Sequence, residues 1–363
     1  MNEPATPCLV IDAAVVRRNL KRYADYVGQH GLGLRPHTKT HKSVRLARMQ
    51  LEAGAVGLTV AKAGEAQVMA EAGDDLLMAY PAVDRPRCQA LAELAKTITI
   101  RVAIDSQAAA AALADAATGA GSTIGILVDI DVGGGRTGVQ TPNDALALAQ
   151  VVDQQAGLRL DGIMCYPGQV RGAPAEQTPA LQQVDAILAE TIELWREHGL
   201  AAGIVSGGST PTAMQSHRVT NLTEIRPGTY VYNDMKIVTG GYCTLDDCAA
   251  RFACTVVSDA VPGQVVIDAG AKTLTYDSYG SGDSGGGLSH GYLVEYPQAR
   301  VAKLSEEHGQ VDVRRCDRRP RVGERVTVIP AHICPCVNLQ DQVWWKENGE
   351  LEALRIDARG KLS

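Results

Sequence analysis

Residues 123–166 read TIGILVDIDVGGGRTGVQTPNDALALAQVVDQQAGLRLDGIMCY. Thr123–Asp131 is an apolar run of strand length, and Gly133-Gly134-Gly135-Arg136-Thr137-Gly138 follows it as a glycine-rich turn. Thr141 stands before Pro142 as a helix start, since a hydroxyl caps free N–H groups and proline suits the first turn. Apolar residues recur through Ala145–Val152, Gly157 closes the helix, and Leu158–Tyr166 is a second apolar run. Strand, glycine turn, helix and strand make one repeat of an α/β protein.

The same alternation extends both ways from this repeat. Leu34–His37, Val56–Val60, Leu76–Tyr80 and Ile98–Asp105 read as strands before it, and Gly203–Ser206 and Glu224–Val231 after it. Between them lie amphipathic stretches. In the first, Val16, Leu20, Tyr23 and Val27 recur at helical spacing and Asp12 is placed to cap. Eight β runs separated by helices predict a (β/α)8 TIM-type barrel over 13–240, with an open doubly wound sheet as the alternative, because spacing does not show closure. Beyond about residue 240 the pattern changes. Phe252–Val261, Gln264–Ile267, Tyr292–Leu304 and Arg325–Ile329 are β-branched or alternating, with Gly and Pro between them. This predicts a separate antiparallel β domain over 241–363. Residues 1–12 hold a short strand that can join either domain, and Gly280–Gly287 reads as a loop, either lid or solvated connector.

Composition excludes several classes. Lys and Arg number 35 against 41 Asp and Glu, a formal net charge of −6, and Phe and Trp are scarce. Mild acidity and few stacking rings argue against nucleic-acid binding. No apolar run reaches the roughly 20 residues that span a bilayer, and the N-terminus lacks a basic-then-apolar signal peptide. A cytoplasmic protein with no membrane partner is expected. The nine cysteines are odd in number and scattered, so reduced thiols are expected rather than a disulfide framework.

Chemistry-bearing residues gather after the strand runs, the end that carries barrel active sites. Arg35-Pro36-His37-Thr38-Lys39-Thr40-His41-Lys42 follows the first run. On an extended strand Arg35, His37 and Lys39 share a face, and a lysine among cations is biased towards the neutral amine that imine formation needs. Lys42 competes but falls where a helix starts. Ser206-Gly207-Gly208-Ser209-Thr210 follows the seventh run, where small residues and a helix N-terminus suit a phosphate. The eighth run supplies Arg226-Pro227-Gly228-Thr229-Tyr230, the fifth the Arg136 loop, and the sixth Tyr166-Pro167-Gly168-Gln169-Val170-Arg171. In the β domain, His332-Ile333-Cys334-Pro335-Cys336 offers an imidazole and a thiolate, a pair that suits zinc. If the strand Arg325–Ile329 continues, His332 and Cys334 project to one side. Ser305–Gly309 either reaches that site or is a hairpin turn.

Taken in order, RPHTKTHK, AKAGEAQVMAEAG with Glu65, GGGRTGV, SGGSTPT, EIRPGTYVYND, IDAGAKTL, LSEEHG and PAHICPCVNLQD carry a resemblance over nearly the whole chain. The chain resembles the metal-activated fold-type III pyridoxal-phosphate enzymes acting on D-amino acids: D-threonine aldolase, D-serine dehydratase and D-threo-3-hydroxyaspartate dehydratase, whose barrel is like that of alanine racemase.

The resemblance implies the roles. Lys39 would be the lysine to which pyridoxal 5'-phosphate attaches and the base for the α-proton. Gly207, Gly208, Ser209, Thr210, Gly228 and Thr229 would hold the phosphate, and Arg136 would lie near the cofactor's phenolic oxygen. Tyr166, Arg171 and Tyr230 complete the cofactor set. His332 and Cys334 would bind a divalent metal, zinc first and manganese or magnesium as alternatives. Arg171 stands where eukaryotic-type D-serine dehydratases place a Tyr facing the pyridine nitrogen, and a cation there would weaken the electron sink. In this family aldolases tend to pair the ligand His with Asp and dehydratases with Cys, so Cys334 favours dehydration of a small D-3-hydroxy amino acid. Retro-aldol cleavage is the alternative, and racemisation or cofactor binding without turnover the third. A homodimer is expected, because in this fold the second domain of one subunit often completes the partner's site.

Overall fold

The computed structural model describes residues 4–280 and 287–363. The lid reading of Gly280–Gly287 falls on residues 281–286 and so lies outside those described. The chain divides into two compact units. One comprises 21–39, 43–228 and 361–363, the other 1–20, 40–42 and 229–360.

In the first unit eight strands run parallel: β2 (Gly33–Leu34), β3 (Leu58–Val60), β4 (Asp75–Met78), β5 (Thr99–Ile104), β6 (Ile124–Ile130), β7 (Leu158–Cys165), β8 (Ile204–Gly207) and β9 (Glu224–Ile225). Their order is β2-β9-β8-β7-β6-β5-β4-β3. The ring closes beyond β2, where His37 bridges Thr59 in parallel, Thr59 N–H donates to Pro36 C=O at 2.8 Å and Val56 N–H to Leu34 C=O at 2.8 Å. Closure decides for the (β/α)8 barrel and against an open sheet. The connecting helices are α1 (Ala13–His30), α2 (Val44–Glu52), α3 (Ala63–Met69), α4 (Arg85–Leu94), α5 (Gln107–Ala120), α6 (Pro142–Asp153) and α7 (Thr178–Glu197). Helix α1 buries Val16, Leu20, Tyr23 and Val27, and Asp12 Oδ1 accepts from the N–H groups of Ala14 and Val15. Thr141 caps α6 by accepting from Asp144 N–H, whereas the helix ends at Asp153, ahead of Gly157.

The barrel interior has an apolar layer and a charged one. Leu77, Ala103, Leu127 and Met164 form a buried cluster. Elsewhere Arg35 bonds Glu224 (2.8 Å) and Asp75 (2.5 Å), Arg101 bonds Asp75 (2.6 Å) and Asp161 (2.7 Å), and Arg159 bonds Asp161 (2.5 Å). Arg35 is thereby committed to scaffold, so its expected sharing of a face with Lys39 is corrected. Lys39 is not on the strand but in a single 3-10 turn, Thr38–Thr40. The run Glu224–Val231 is also shorter than expected: β9 stops at Ile225, and Thr229–Val231 is another 3-10 turn.

The second unit is built on β1 (Cys8–Asp12), β10 (Ala250–Ser258), β11 (Gln264–Ile267), β12 (Gly291–Leu293), β13 (Arg300–Leu304), β14 (Gly309–Asp312), β15 (Arg325–Pro330), β16 (Gln342–Glu347) and β17 (Glu350–Arg355). The N-terminal strand β1 pairs antiparallel with β10 and parallel with β16, and the other pairings in this sheet are antiparallel. Short helices α8 (Met235–Thr239), α9 (Ala271–Leu274) and α10 (Ile333–Asn338) punctuate it. Tyr292–Leu304 is two strands, β12 and β13, and Ser305–His308 is the hairpin turn between β13 and β14, with Ser305 N–H on His308 C=O at 3.0 Å. Among the described residues, no helix is long and apolar enough to cross a membrane.

Candidate active site

The strand-to-helix loops of the first unit hold the candidate cofactor residues. Lys39 is exposed, and among the described residues no hydrogen bond or ion pair engages its amine. The turn carrying it is fixed by Thr38 Oγ1, which donates to Thr59 C=O at 3.1 Å. Lys42 is different. It sits in the second unit, 4% exposed, with a left-handed φ of 52°, and its amine donates to Ala358 C=O at 3.3 Å. That geometry gives Lys42 a structural hydrogen bond, whereas the Lys39 side chain is exposed.

After β6, the carboxylate of Asp131 gathers the N–H groups of Gly133 (3.1 Å), Gly134 (2.7 Å) and Gly135 (3.1 Å). This turn needs glycine: Gly138 has φ +108°, and a Cβ there would run into the backbone of Asp131. Arg136 emerges from the turn with its guanidinium 4.4 Å from the centre of the Tyr166 ring, so the loops after β6 and β7 meet through a cation–π contact. Gln169 ties them again, donating to Val132 C=O at 2.5 Å. Arg171 is exposed and donates to Gly168 C=O at 3.1 Å within its own loop.

After β8, Gly207 lies so close to its neighbours that a Cβ would stand 2.7 Å from Leu222 Cδ2 and 3.0 Å from Cys165 Sγ, and Gly208 has φ +79°. Ser209 and Thr210 follow, both buried, and Ser209 N–H donates to Thr212 Oγ1 at 3.0 Å. A small-residue cradle lined by hydroxyls and backbone N–H groups fits a phosphate. The helix expected directly behind it is a six-residue 3-10 turn starting later, at Ala213. Beneath the cradle, buried Arg226 donates to Ser206 Oγ (2.8 Å) and Cys165 C=O (2.8 Å), and Ser206 Oγ donates to Glu224 (2.6 Å). Gly228 closes this unit, while Thr229 and the wholly buried Tyr230 belong to the other. Asp129, unremarked in the sequence, lies under the Arg136 loop with Thr137 Oγ1 donating to it at 2.8 Å, and burial lifts its carboxyl to about 6.

The second unit holds the candidate metal pair. Strand β15 ends at Pro330, so His332 and Cys334 do not alternate along a strand as expected. His332 stands at the N-cap position of α10, its side chain making no capping bond, and Cys334 lies in the first turn, where Pro335 is tolerated. The two side chains still meet in a hydrogen bond. Burial alone would push the imidazole down, but its bonds to Asp234 and Cys334 outweigh that and raise it to about 10. Burial would raise the Cys334 thiol, and the bond with His332 brings it below its ordinary value instead. Asp234 is wholly buried, caps α8 through Ile237 N–H (3.1 Å), and accepts from Ile333 N–H (3.0 Å) and His332 Nδ1 (2.8 Å). A carboxylate on Nδ1 leaves Nε2 for a metal, the usual way a ligand histidine is oriented. Two further contacts reach the sulfur: Thr40 Oγ1 at 3.1 Å and Thr229 Oγ1 at 3.6 Å. Cys336 is buried and turned away, its Sγ on His332 C=O at 3.1 Å. Among the described residues, no group of three or more His, Cys, Asp and Glu side chains is placed to hold a metal. The donor set fits a borderline-soft divalent ion.

Residues 11–236 match the alanine racemase N-terminal domain family, and residues 249–345 match a putative serine dehydratase domain family. D-threo-3-hydroxyaspartate dehydratase of Delftia sp. (strain HT23) is 31% identical over 345 residues, 91% of this chain and 90% of that protein. The chain belongs to the D-threonine aldolase and D-threo-3-hydroxyaspartate dehydratase family. Its members are pyridoxal-phosphate lyases on an alanine racemase-like barrel. The crystal structure of D-threonine aldolase from Filomicrobium marinum superposes with a TM-score of 0.91 at 30% identity, covering 99% of this chain and 97% of that one. A D-threo-3-hydroxyaspartate dehydratase with a Cys→Ala substitution, described as the metal-free form, superposes at 0.88 with 27% identity over 97% of each chain.

Proposed function

We propose that this chain dehydrates a D-3-hydroxy amino acid of the D-serine or D-threo-3-hydroxyaspartate type, using pyridoxal 5'-phosphate on Lys39 and a divalent metal, zinc first, on His332 and Cys334. The observation that carries this reading is the His332–Cys334 pair, its ring held by Asp234 and its sulfur touched by Thr40. Bound at these residues, the cofactor supplies an electron sink for the bonds at Cα and the metal supplies Lewis acidity at a β-hydroxyl.

The chain's own residues do the rest. Lys39 is exposed on a fixed turn, which suits an amine that both attaches the cofactor and takes the proton from Cα. Gly207, Gly208, Ser209 and Thr210, with Gly228, hold the phosphate through backbone N–H groups and hydroxyls. Arg136, steadied on Tyr166, offers its guanidinium to the phenolic oxygen. Arg171, exposed and bonded to Gly168 C=O within its own loop, takes no part in this reading. Asp234 holds the His332 ring in one tautomer. Loss of the α-proton and the β-hydroxyl leaves an enamine that water converts to a keto acid and ammonia. The cysteine ligand supports dehydration, as does the metal-free dehydratase variant that lacks a cysteine.

Likeness to a D-threonine aldolase over nearly the full chain supports retro-aldol cleavage as the second reading. Incubation of purified protein with D-serine, D-threonine and D-threo-3-hydroxyaspartate separates the two. Pyruvate or oxaloacetate with stoichiometric ammonia supports the first reading. Glycine and an aldehyde as the main products would replace it with the second. A cytoplasmic location is part of the proposal, supported by the odd number and scattered placing of the cysteines in the sequence.

A further inference from the structure

Thr40 has no part in the cofactor or metal set, yet it is wholly buried and its hydroxyl lies 3.1 Å from the Cys334 sulfur. We infer that Thr40 is a positioning residue for the metal: its O–H donates to the Cys334 thiolate, while Thr229 approaches the same sulfur from 3.6 Å. The inference rests on Cys334 being a metal ligand and adds what aims it.

Cys334 sits in the first turn of the six-residue α10, and its side chain can rotate about χ1. His332 has a dedicated partner in Asp234, which fixes its ring. Among the described residues no carboxylate bonds the Cys334 sulfur, and hydroxyls take that place. A sulfur that accepts from a donor on one side presents its remaining lone pairs in a restricted direction, so Thr40 selects the rotamer in which imidazole and thiolate converge on one ion. The hydrogen bond also disperses part of the thiolate charge, which moderates donation to a metal that must keep positions open for substrate.

The test uses the cofactor-loaded protein and two readouts besides activity: zinc affinity by competition with a chromophoric chelator, and X-ray absorption at the zinc edge. Wild type should show a sulfur shell at about 2.3 Å. Thr40→Val, which swaps the hydroxyl for a methyl of similar size, should lower zinc affinity by roughly ten- to a hundredfold, the usual range for an outer partner of a ligand. At saturating zinc its sulfur shell should weaken or spread. Thr40→Ala should do the same, and Thr40→Ser, which keeps the donor, should restore both signals. The visible cofactor absorbance should persist in all three. Wild-type zinc affinity and an unchanged sulfur shell in Thr40→Val and Thr40→Ala would overturn the inference. So would a Thr40→Ser variant that loses zinc as severely as Thr40→Val, because packing rather than the hydroxyl would then be at work. A wild-type protein whose zinc shows no sulfur neighbour would instead remove the metal reading on which Thr40 depends.

Discussion

Lys39 and Lys42 stand three residues apart with opposite surroundings, and the difference gives a sharp expectation. Lys39→Ala should abolish the visible absorbance of the purified protein, because its side chain is the exposed one of the two. Lys42→Ala should keep that absorbance and lower stability by about 1–3 kcal/mol, the usual effect of leaving a buried carbonyl such as Ala358 C=O unpaired. The reverse spectral result would move the cofactor to Lys42. At the metal pair, Cys334→Asp should lower zinc retention and make activity depend on added manganese, since a carboxylate favours harder ions. Cys336→Ser should leave zinc content unchanged, its sulfur being turned onto His332 C=O. Elemental analysis decides; equal zinc in wild type and Cys334→Asp would remove Cys334 as a ligand. His332 and Cys334 were legible in the sequence as a spacing, but for a wrong reason: alternation fails where β15 stops at Pro330 and a helical turn brings them together. Asp234 was not legible as their partner. Nothing local signals a bond to a residue 98 positions away. Thr40 likewise hid behind its neighbour Lys39.

At the scale of elements, close approach decides which glycines matter. Gly162 lies in β7, where the register against β6 shifts, and a Cβ there would collide with the backbone of Ile204 in β8. Gly162→Ala should therefore destabilise the barrel by more than about 2 kcal/mol, seen as an earlier loss of helix signal in urea. Gly28 in α1 has open space around its Cβ position, so Gly28→Ala should be neutral or stabilising by up to about 1 kcal/mol. If both substitutions behave alike, the register at Gly162 is wrong. The barrel strands could be read from sequence because parallel strands covered on both faces are nearly unbroken apolar runs, as in β6. Glu224–Val231 misled for the same reason: Tyr230 and Val231 are buried in a 3-10 turn, and burial alone does not distinguish a turn from a strand. Arg35, inside the barrel, read as a site residue because its partners Asp75 and Glu224 come from distant strands.

On the scale of the whole molecule, the chain folds as a closed parallel barrel and a mostly antiparallel nine-stranded sheet that recruits the N-terminal strand. Which unit β1 joins was open in the sequence, since an isolated strand of five residues carries no record of its neighbours. A homodimer is the proposed assembly, and light scattering on the purified protein should give twice the chain mass; a monomer with full activity would exclude a shared site. On the proposed reading, lyase chemistry needs a metal on His332 and Cys334, while cofactor attachment needs only Lys39. The most direct test of that reading is chelator treatment of the purified protein, with metal content, visible absorbance and turnover of D-threo-3-hydroxyaspartate and D-serine measured on the same sample. Loss of turnover with the absorbance intact, and recovery on adding back zinc, is the expected result. Full turnover in protein shown to be free of metal would contradict it.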